Sequence, residues 1–310
     1  MLPGGTGTYR EIIPYLVLQA KYRGMPETVA EGEVPMLVAV VPAHNEVESI
    51  EKVIDLVQAA GASLVIPVVN GSTDGTADAV RSRAGACVAP VFFEEPLGFD
   101  VPRAVGALCA REAGAGCVLF VDGDMGGDIR PALVALVDAV RQGADLALTD
   151  CYPHGSPSEP LVGKLLHVRT LLNRAIGCPE LGAASPSHGP HAVSARFLAR
   201  IPAPELGVPP VALALAAREG LRIAVGAAIP HSLLGSPARS EEHACRRAET
   251  IVGDCIEAYR VFRRQKRSRT WGGRTYVGYH HHRRWDLLAS FNPATWCAGR
   301  LHTRHRTPPA

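Results

Sequence analysis

Lysine is almost missing from this 310-residue chain. Lys21, Lys52, Lys164 and Lys266 are its whole complement, and the other 28 basic residues are arginine. The bias covers most of the length, so it reads as codon usage rather than as a selected role for the guanidinium, although the two cations differ in chemistry. No apolar run reaches the ~20 residues of a membrane-spanning helix. The start has neither the basic segment nor the long apolar core of a signal peptide. A cytoplasmic location is the expectation. The eight cysteines form no Cys-x-x-Cys pair, which argues against a zinc site of common spacing and against a disulfide scaffold. Most sit in apolar surroundings and read as buried free thiols. No Walker loop, no Gly-x-Gly-x-x-Gly between the first strand and helix, and no Gly-x-Ser-x-Gly occur. Those absences argue against P-loop, nicotinamide and α/β-hydrolase chemistry. There is no internal repeat.

What is present is a folding composition: 47% hydrophobic, 20% charged, with 31 Gly and 25 Pro to punctuate it. One or two domains are expected, and wholesale disorder is excluded. The formal charge of +2 conceals a division. From Arg260 onward there are twelve Arg or Lys and one acid, Asp286, a net of +11, so residues 1–259 carry −9. The chain is an acidic body with a basic tail.

Residues 1–35 read as a leader and linker, with a short amphipathic helix over Tyr9–Tyr22 that packs on the body or rests on a membrane surface, packing being favoured. From Met36 a strand–helix alternation begins. Strands are predicted at Met36–Ala43, Leu64–Asn70, Cys87–Phe93, Cys117–Asp122 and Asp145–Asp150. Helices are predicted at Glu46–Ala60, Thr76–Arg83, Pro102–Ala113 and Ile129–Gln142. Continuous apolar strands alternating with helices imply an open, mostly parallel α/β sheet. The second half is less regular: helices at Leu161–Ile176, His191–Arg200, Val211–Arg218 and Ser240–Arg264, and a strand at Leu221–Ala228. Ser240 caps the long helix, and Glu241 and Glu242 suit its first turn.

Ligands of such sheets bind at the carboxyl ends of the strands. There the sequence places Pro42-Ala43-His44-Asn45-Glu46, then Asn70-Gly71-Ser72-Thr73-Asp74-Gly75-Thr76, then Asp122-Gly123-Asp124. Any one of these is an ordinary turn; three on one edge point to a site. Two carboxylates beside a buried strand need compensation, which Mg²⁺ or Mn²⁺ bridging a diphosphate would supply. The alternative is a pair of helix-capping aspartates.

In order and spacing, these three segments resemble the signature segments of family 2-like glycosyltransferases with the GT-A fold, over roughly residues 36–235. The resemblance implies an α/β, Rossmann-like GT-A domain at 36–239, followed by a C-terminal helix and basic tail at 240–310. It also implies transfer of a sugar from a nucleotide-diphosphate donor to a small-molecule or lipid-linked acceptor. On that resemblance Pro42, Ala43 and Glu46 line the base and ribose, Asn70 and Ser72 lie beside the nucleotide, and Arg103 is the basic residue near it. Asp122 faces the ribose or metal, and Asp124 ligates the metal. His231 resembles the late metal-ligating histidine of retaining enzymes that make glucosyl- or mannosyl-glycerate compounds; the alternative is a surface histidine. His188 and His191 would then lie on the acceptor side, to pair with a phosphate or carboxylate; the equal alternative is a loop with incidental histidines. The acid that many inverting relatives carry is missing from Gly207-Val208-Pro209-Pro210-Val211. The nearest candidate base is Glu205, whose other reading is a solvated loop acid; both stereochemical courses stay open.

The tail has four readings: docking on the acidic body near the donor diphosphate, peripheral contact with anionic lipid at the inner membrane face, nucleic-acid binding, or a solvated end. Nucleic acid is the disfavoured partner for the chain as a whole. Two other functions compete with the transferase reading. A sugar-phosphate nucleotidyltransferase would show a basic Gly-rich loop after strand one; a non-catalytic nucleotide-sugar or nucleic-acid binder would show no turnover.

Overall fold

The computed structural model describes residues 35–155, 159–237 and 240–304. The leader helix expected at Tyr9–Tyr22 lies outside them. Strands β1 (Leu37–Ala43), β2 (Leu64–Asn70), β3 (Val91–Phe93) and β4 (Cys117–Phe120) alternate with helices α1 (Ile50–Ala59), α2 (Thr76–Arg83), α3 (Val101–Glu112) and α4 (Arg130–Arg141). Then follow β5 (Leu146–Asp150), α5 (Pro160–Ala175), β6 (His191–Ser194), α6 (Ala195–Arg200), α7 (Pro209–Arg218), β7 (Ile223–Ala228) and α8 (Glu241–Phe262). The seven strands form one sheet in the order β3-β2-β1-β4-β6-β5-β7, parallel except for β6, which runs antiparallel between β4 and β5.

Period-two alternation divides the core between the two faces of this sheet. Val38, Val40, Ile66, Val118 and Phe120 face one side, packed with α3, α7 and α8. Ala39, Val41, Val65, Leu119 and Ala147 face the other, packed with α1 and α4. β1 and β2 are buried along almost their whole length because helices cover both faces.

Two segments depart from the sequence pattern, each for a physical reason. The third strand was expected from Cys87, but only Val91–Phe93 pairs continuously, after an isolated bridge at Val65–Val88. Val65 bonds to Cys87 and Ala89 on that side. Pro67, two residues on, faces the same side without an N–H, so the ladder breaks there. The helix expected at His191–Arg200 begins instead as β6. His191 pairs with Phe120 and Val193 with Leu146, and Ser194 then caps α6 by accepting the Phe197 N–H at 3.0 Å. A four-residue strand held by partners 45 to 77 residues away in sequence leaves little local signal.

The C-terminal part shares the first core. α8 packs on α7 and α5, and Ala248, Ile251, Cys255, Ala258 and Leu288 belong to that cluster. Beyond α8 come a two-strand hairpin (β8, Thr270–Trp271; β9, Arg274–Thr275) turning at Gly272-Gly273, then α9 (Trp285–Ser290) and α10 (Pro293–Arg304). Of the eight cysteines, 109, 117, 151 and 255 are buried, whereas Cys87 and Cys245 are exposed. Burial pushes the Cys117, Cys151 and Cys255 thiols up to about 12. No helix among the described residues is long and apolar enough to cross a membrane.

Candidate functional site

The ends of β1, β2 and β4 meet at one rim, and their loops brace one another. The Pro42 carbonyl accepts the Gly123 N–H at 2.8 Å, and Ser49 Oγ donates to the Gly123 carbonyl at 2.7 Å. A side chain at 123 would press on Ala43 and the Pro42 carbonyl, so the glycine between the two aspartates sets how closely these loops approach. Ser72 Oγ accepts the Asn45 N–H at 3.1 Å, and Asn45 Oδ1 accepts the Thr73 N–H at 2.8 Å. Glu46 is tied by its N–H to Thr76 Oγ1 at 2.8 Å. Asn70 is buried. Its backbone carbonyl is 2.6 Å from His44 Nδ1, and its amide oxygen accepts the Leu97 N–H. The Asn70 and Ser72 side chains thus hold loops in place.

At the end of β4, Asp122 and Asp124 are both half-buried. Arg103, buried on α3, grips both oxygens of Asp122 through one nitrogen at 2.5 and 2.7 Å. Its other terminal nitrogen donates to Asp100. The surrounding carboxylates outweigh desolvation and raise the Arg103 pKa further. One aspartate of the pair is therefore already compensated by a guanidinium.

The segment after β7 folds back onto the same rim. Gly127 N–H donates to the Leu234 carbonyl at 3.0 Å, and a Cβ on Gly127 would overlap the Leu233 carbonyl oxygen. His231 opens that segment and its ring is exposed. Tyr152 lies against His188 (ring centres 5.6 Å) and His231 (5.8 Å), and the two imidazoles are 5.0 Å apart. His188 Nε2 is buried and has no partner among the described residues. Burial, then Arg169 and His231, hold His188 well below the usual imidazole range. Partial burial and Arg247 lower His231. Both rings are neutral bases near neutral pH.

Beside them stands a residue the sequence reading missed. Arg169 of α5 is 3% exposed. Its Nε is unpartnered, and its guanidinium makes no hydrogen bond or ion pair with another described residue. Burial lowers its pKa. The signal was available: Arg169 falls on the apolar stripe of α5 with Leu165, Leu166 and Leu172.

Two expected residues are placed elsewhere. His191 is in β6, stacked on Phe120 at 4.9 Å and only 4% exposed. Burial, then Arg103, hold it down to about 3. It lines a cavity of about 10 Å³ with Arg103 and Phe197. Glu205 is 1% exposed, and both its oxygens lie within 3.2 Å of an Arg267 nitrogen. It is not a solvated loop acid; Arg267 holds it, in a turn packed on α3 and α7.

The basic tail docks on the acidic body. Arg267 bridges Glu205 and Glu257, Arg269 binds Asp254 and Glu257, Arg283 binds Asp254 at 2.8 Å through two nitrogens, and Arg284 reaches Glu95. Asp254, Glu257 and His280 bring potential metal-ligand atoms within 4.8 Å of one another. Arg267, Arg269 and Arg283 already neutralise these carboxylates, so the group is an ion-pair hub.

No protein-family model matches the sequence, and no curated protein matches it. Solved structures do match. A mannosyl-3-phosphoglycerate synthase from Rubrobacter xylanophilus superposes with a TM-score of 0.56 at 14% identity, over 77% of this chain and 78% of that one. A mannosyltransferase from Pyrobaculum calidifontis, solved with GDP-Man and Mn²⁺, gives 0.51 at 18%, over 96% and 84%. The glucosyl-3-phosphoglycerate synthase of Mycobacterium tuberculosis, solved with Mn²⁺, UDP and glucosyl-3-phosphoglycerate, gives 0.50 at 20%, over 74% and 86%. The fold is GT-A. Its mixed sheet, its rim of three strand ends and its helical, basic extension all agree with that architecture.

Proposed function

We propose that this GT-A protein is a metal-dependent glycosyltransferase that moves a sugar from a nucleotide-diphosphate donor to an acceptor bearing an acidic group. The observation that carries the reading is the Asp122-Gly123-Asp124 turn, joined through its backbone to the β1 loop and facing the loop of His231. Pro42, Ala43 and Glu46 form the base and ribose side, and the 70–76 loop, braced by Asn70 and Ser72, flanks the nucleotide. Arg103 and Asp122 form a paired wall.

Asp124 and His231 suit a divalent ion. One is a half-buried carboxylate at a strand end and the other an imidazole held neutral, both donors that Mg²⁺ or Mn²⁺ accepts. When bound, the ion would stabilise the departing diphosphate as a Lewis acid. The protein's share is to align the acceptor and fix its dipoles beforehand. On the acceptor side, Arg169, a buried cation without a counter-ion among the described residues, lies beside neutral His188. Such a cation is stabilised by an anion, which fits an acid-bearing acceptor like those named for the phosphoglycerate synthases above. Glu205 is not offered as the base, because Arg267 occupies both its oxygens. The tail's internal ion pairs favour its docking role over contact with anionic lipid.

The test is a thermal-shift screen of UDP-, GDP- and ADP-sugars with and without Mn²⁺, since a ligand that binds only the native state stabilises it. We expect one nucleotide class to raise Tm in a Mn²⁺-dependent way, with the shift lost in Asp124→Ala. Chelator-insensitive transfer, undiminished in Asp124→Ala, would overturn the mechanism.

A further inference from the structure

The basic tail does more than neutralise the body. A chain of alternating charges runs unbroken from the rim into it. Asp122 is held by Arg103, Arg103 by Asp100, Asp100 by Arg283 at 3.4 Å, and Arg283 by Asp254. The inner side chains are buried: Arg283 is 0% exposed, Asp254 1%, Asp100 4% and Arg103 8%. Charges so placed depend on their partners, because losing one strands the next in a low dielectric. A guanidinium is a planar fork, so the partner on one nitrogen fixes where the other points.

Two further observations tie the tail to this geometry. Asp100 adopts a left-handed backbone (φ 66) at the start of α3 and makes no capping bond. Its carboxylate serves Arg103 and Arg283 instead of the helix end, and such strain persists only where surroundings over-determine it. The loop containing Asp100 is also strapped by the tail. Arg284 N–H donates to the Leu97 carbonyl at 2.8 Å, and Arg283 Nε donates to the Phe99 carbonyl at 3.0 Å. Gly98 (φ +87) has no room for a Cβ beneath the His282 carbonyl. Leu97 in turn binds Asn70 at the end of β2.

We infer that Arg283 is a positioning residue for the donor site, acting through Asp100 and Arg103 on Asp122, so that residues 282–284 complete a site whose signature lies over 150 residues earlier. The inference rests on the transferase reading. Partners that orient the residues of a metal site typically lose about 10- to 100-fold in affinity or activity when removed.

The experiment compares Arg283→Met and Arg283→Lys with Arg269→Met in the full chain. Arg269→Met breaks the same buried network on the side away from Asp100 and controls for lost stability. Binding of UDP, GDP and ADP with Mn²⁺ is measured by calorimetry, and donor and acceptor KM by transfer assay. Crystal structures of the wild type and Arg283→Met supply the readout that does not need activity. Arg283→Met should weaken nucleotide–Mn²⁺ binding and raise donor KM about 10- to 100-fold, leaving acceptor KM within about twofold. Arg283→Lys should recover part of the loss. Arg269→Met should lower Tm at least as much yet leave donor KM near wild type. Equal donor KM effects in the two methionine variants, or Arg103 still gripping Asp122 in the Arg283→Met crystal, would overturn the inference. If the wild type binds none of the nucleotides with Mn²⁺, the transferase reading fails instead, and the crystal comparison still decides whether Arg283 orients Arg103.

Discussion

Asp122 and Asp124 share a turn but have different roles in the proposed site, and the difference predicts different phenotypes. Asp122 is locked by Arg103, so its role is exercised through that pair. Asp124 has the ligand role in the proposed site. Asp124→Asn should reduce transfer by at least about 100-fold, a loss of several kcal/mol of charge stabilisation, with Tm in the absence of nucleotide changed little. A Tm loss as large as that of a core cavity would assign Asp124 to the scaffold. Arg169 predicts the opposite combination. Removing an uncompensated buried cation relieves desolvation, so Arg169→Met should hold or raise Tm while acceptor KM rises about tenfold and donor KM stays put, the trade expected at a functional site. Lower Tm with unchanged acceptor KM would make Arg169 a structural residue. The three rim segments were legible in the sequence because each is short, local and follows a strand. Arg169 and Asp100 were not singled out, because their meaning depends on what stands opposite them in space.

Elements that carry their own signals were read with small errors. β2 and α2 have the residues expected, and Ser240 caps α8 by accepting the His243 N–H at 3.2 Å. Ser240→Ala should cost about 1 kcal/mol, measurable as a shift in the denaturation midpoint; no shift would show that the cap is redundant with the packing of α8. The loop between β3 and α3 is held by non-local bonds. Gly98→Ala would place a methyl against the 282–283 backbone at a positive φ. It should reduce stability by about 1 kcal/mol or more and lift the 280–286 segment, readable as faster hydrogen exchange there. Unchanged exchange would show that the strap does not depend on that contact. β6 and the shortened β3 could not be read locally: one exists through partners on both sides, and the other ends where Pro67 withholds a donor.

At the scale of the whole molecule, the +11 tail and the −9 body are parts of one interior. Arg267, Arg269 and Arg283 pair with buried acids and Arg284 with exposed Glu95, so part of the apparent asymmetry is neutralised within the fold. Buried titratable groups give this interior a pH dependence. His191, facing Arg103, is held to about 3, and His280, facing Arg269, Arg283, Glu257 and Asp254, to about 4; burial leads in both. Between the ordinary value near 6.5 and those values the unfolded chain binds protons that the native one refuses. Stability therefore falls as the pH is lowered through that range, by about 1.4 kcal/mol per unit for each histidine. Asp100 acts in reverse. Burial pushes it up to about 6, so its contribution grows as pH falls through 6. His188, also held well below its ordinary value, adds to the histidine side, so Tm should fall between pH 7 and 4.5, less steeply in His280→Asn. A Tm that rises on acidification would show that Asp100 dominates.

The sequence by itself determined the alternation of strands and helices, the edge of the sheet where polar loops gather, and the Asp-Gly-Asp turn at its centre. Each follows from periodicity and turn chemistry over a few residues. Only the tertiary structure decided that β6 is a strand, that Glu205 is an ion-pair partner, that Arg169 is a buried cation, and that the tail reaches the rim through Arg283. Those outcomes depend on contacts between residues tens to nearly two hundred positions apart, where burial makes the identity of a charge's partner decisive.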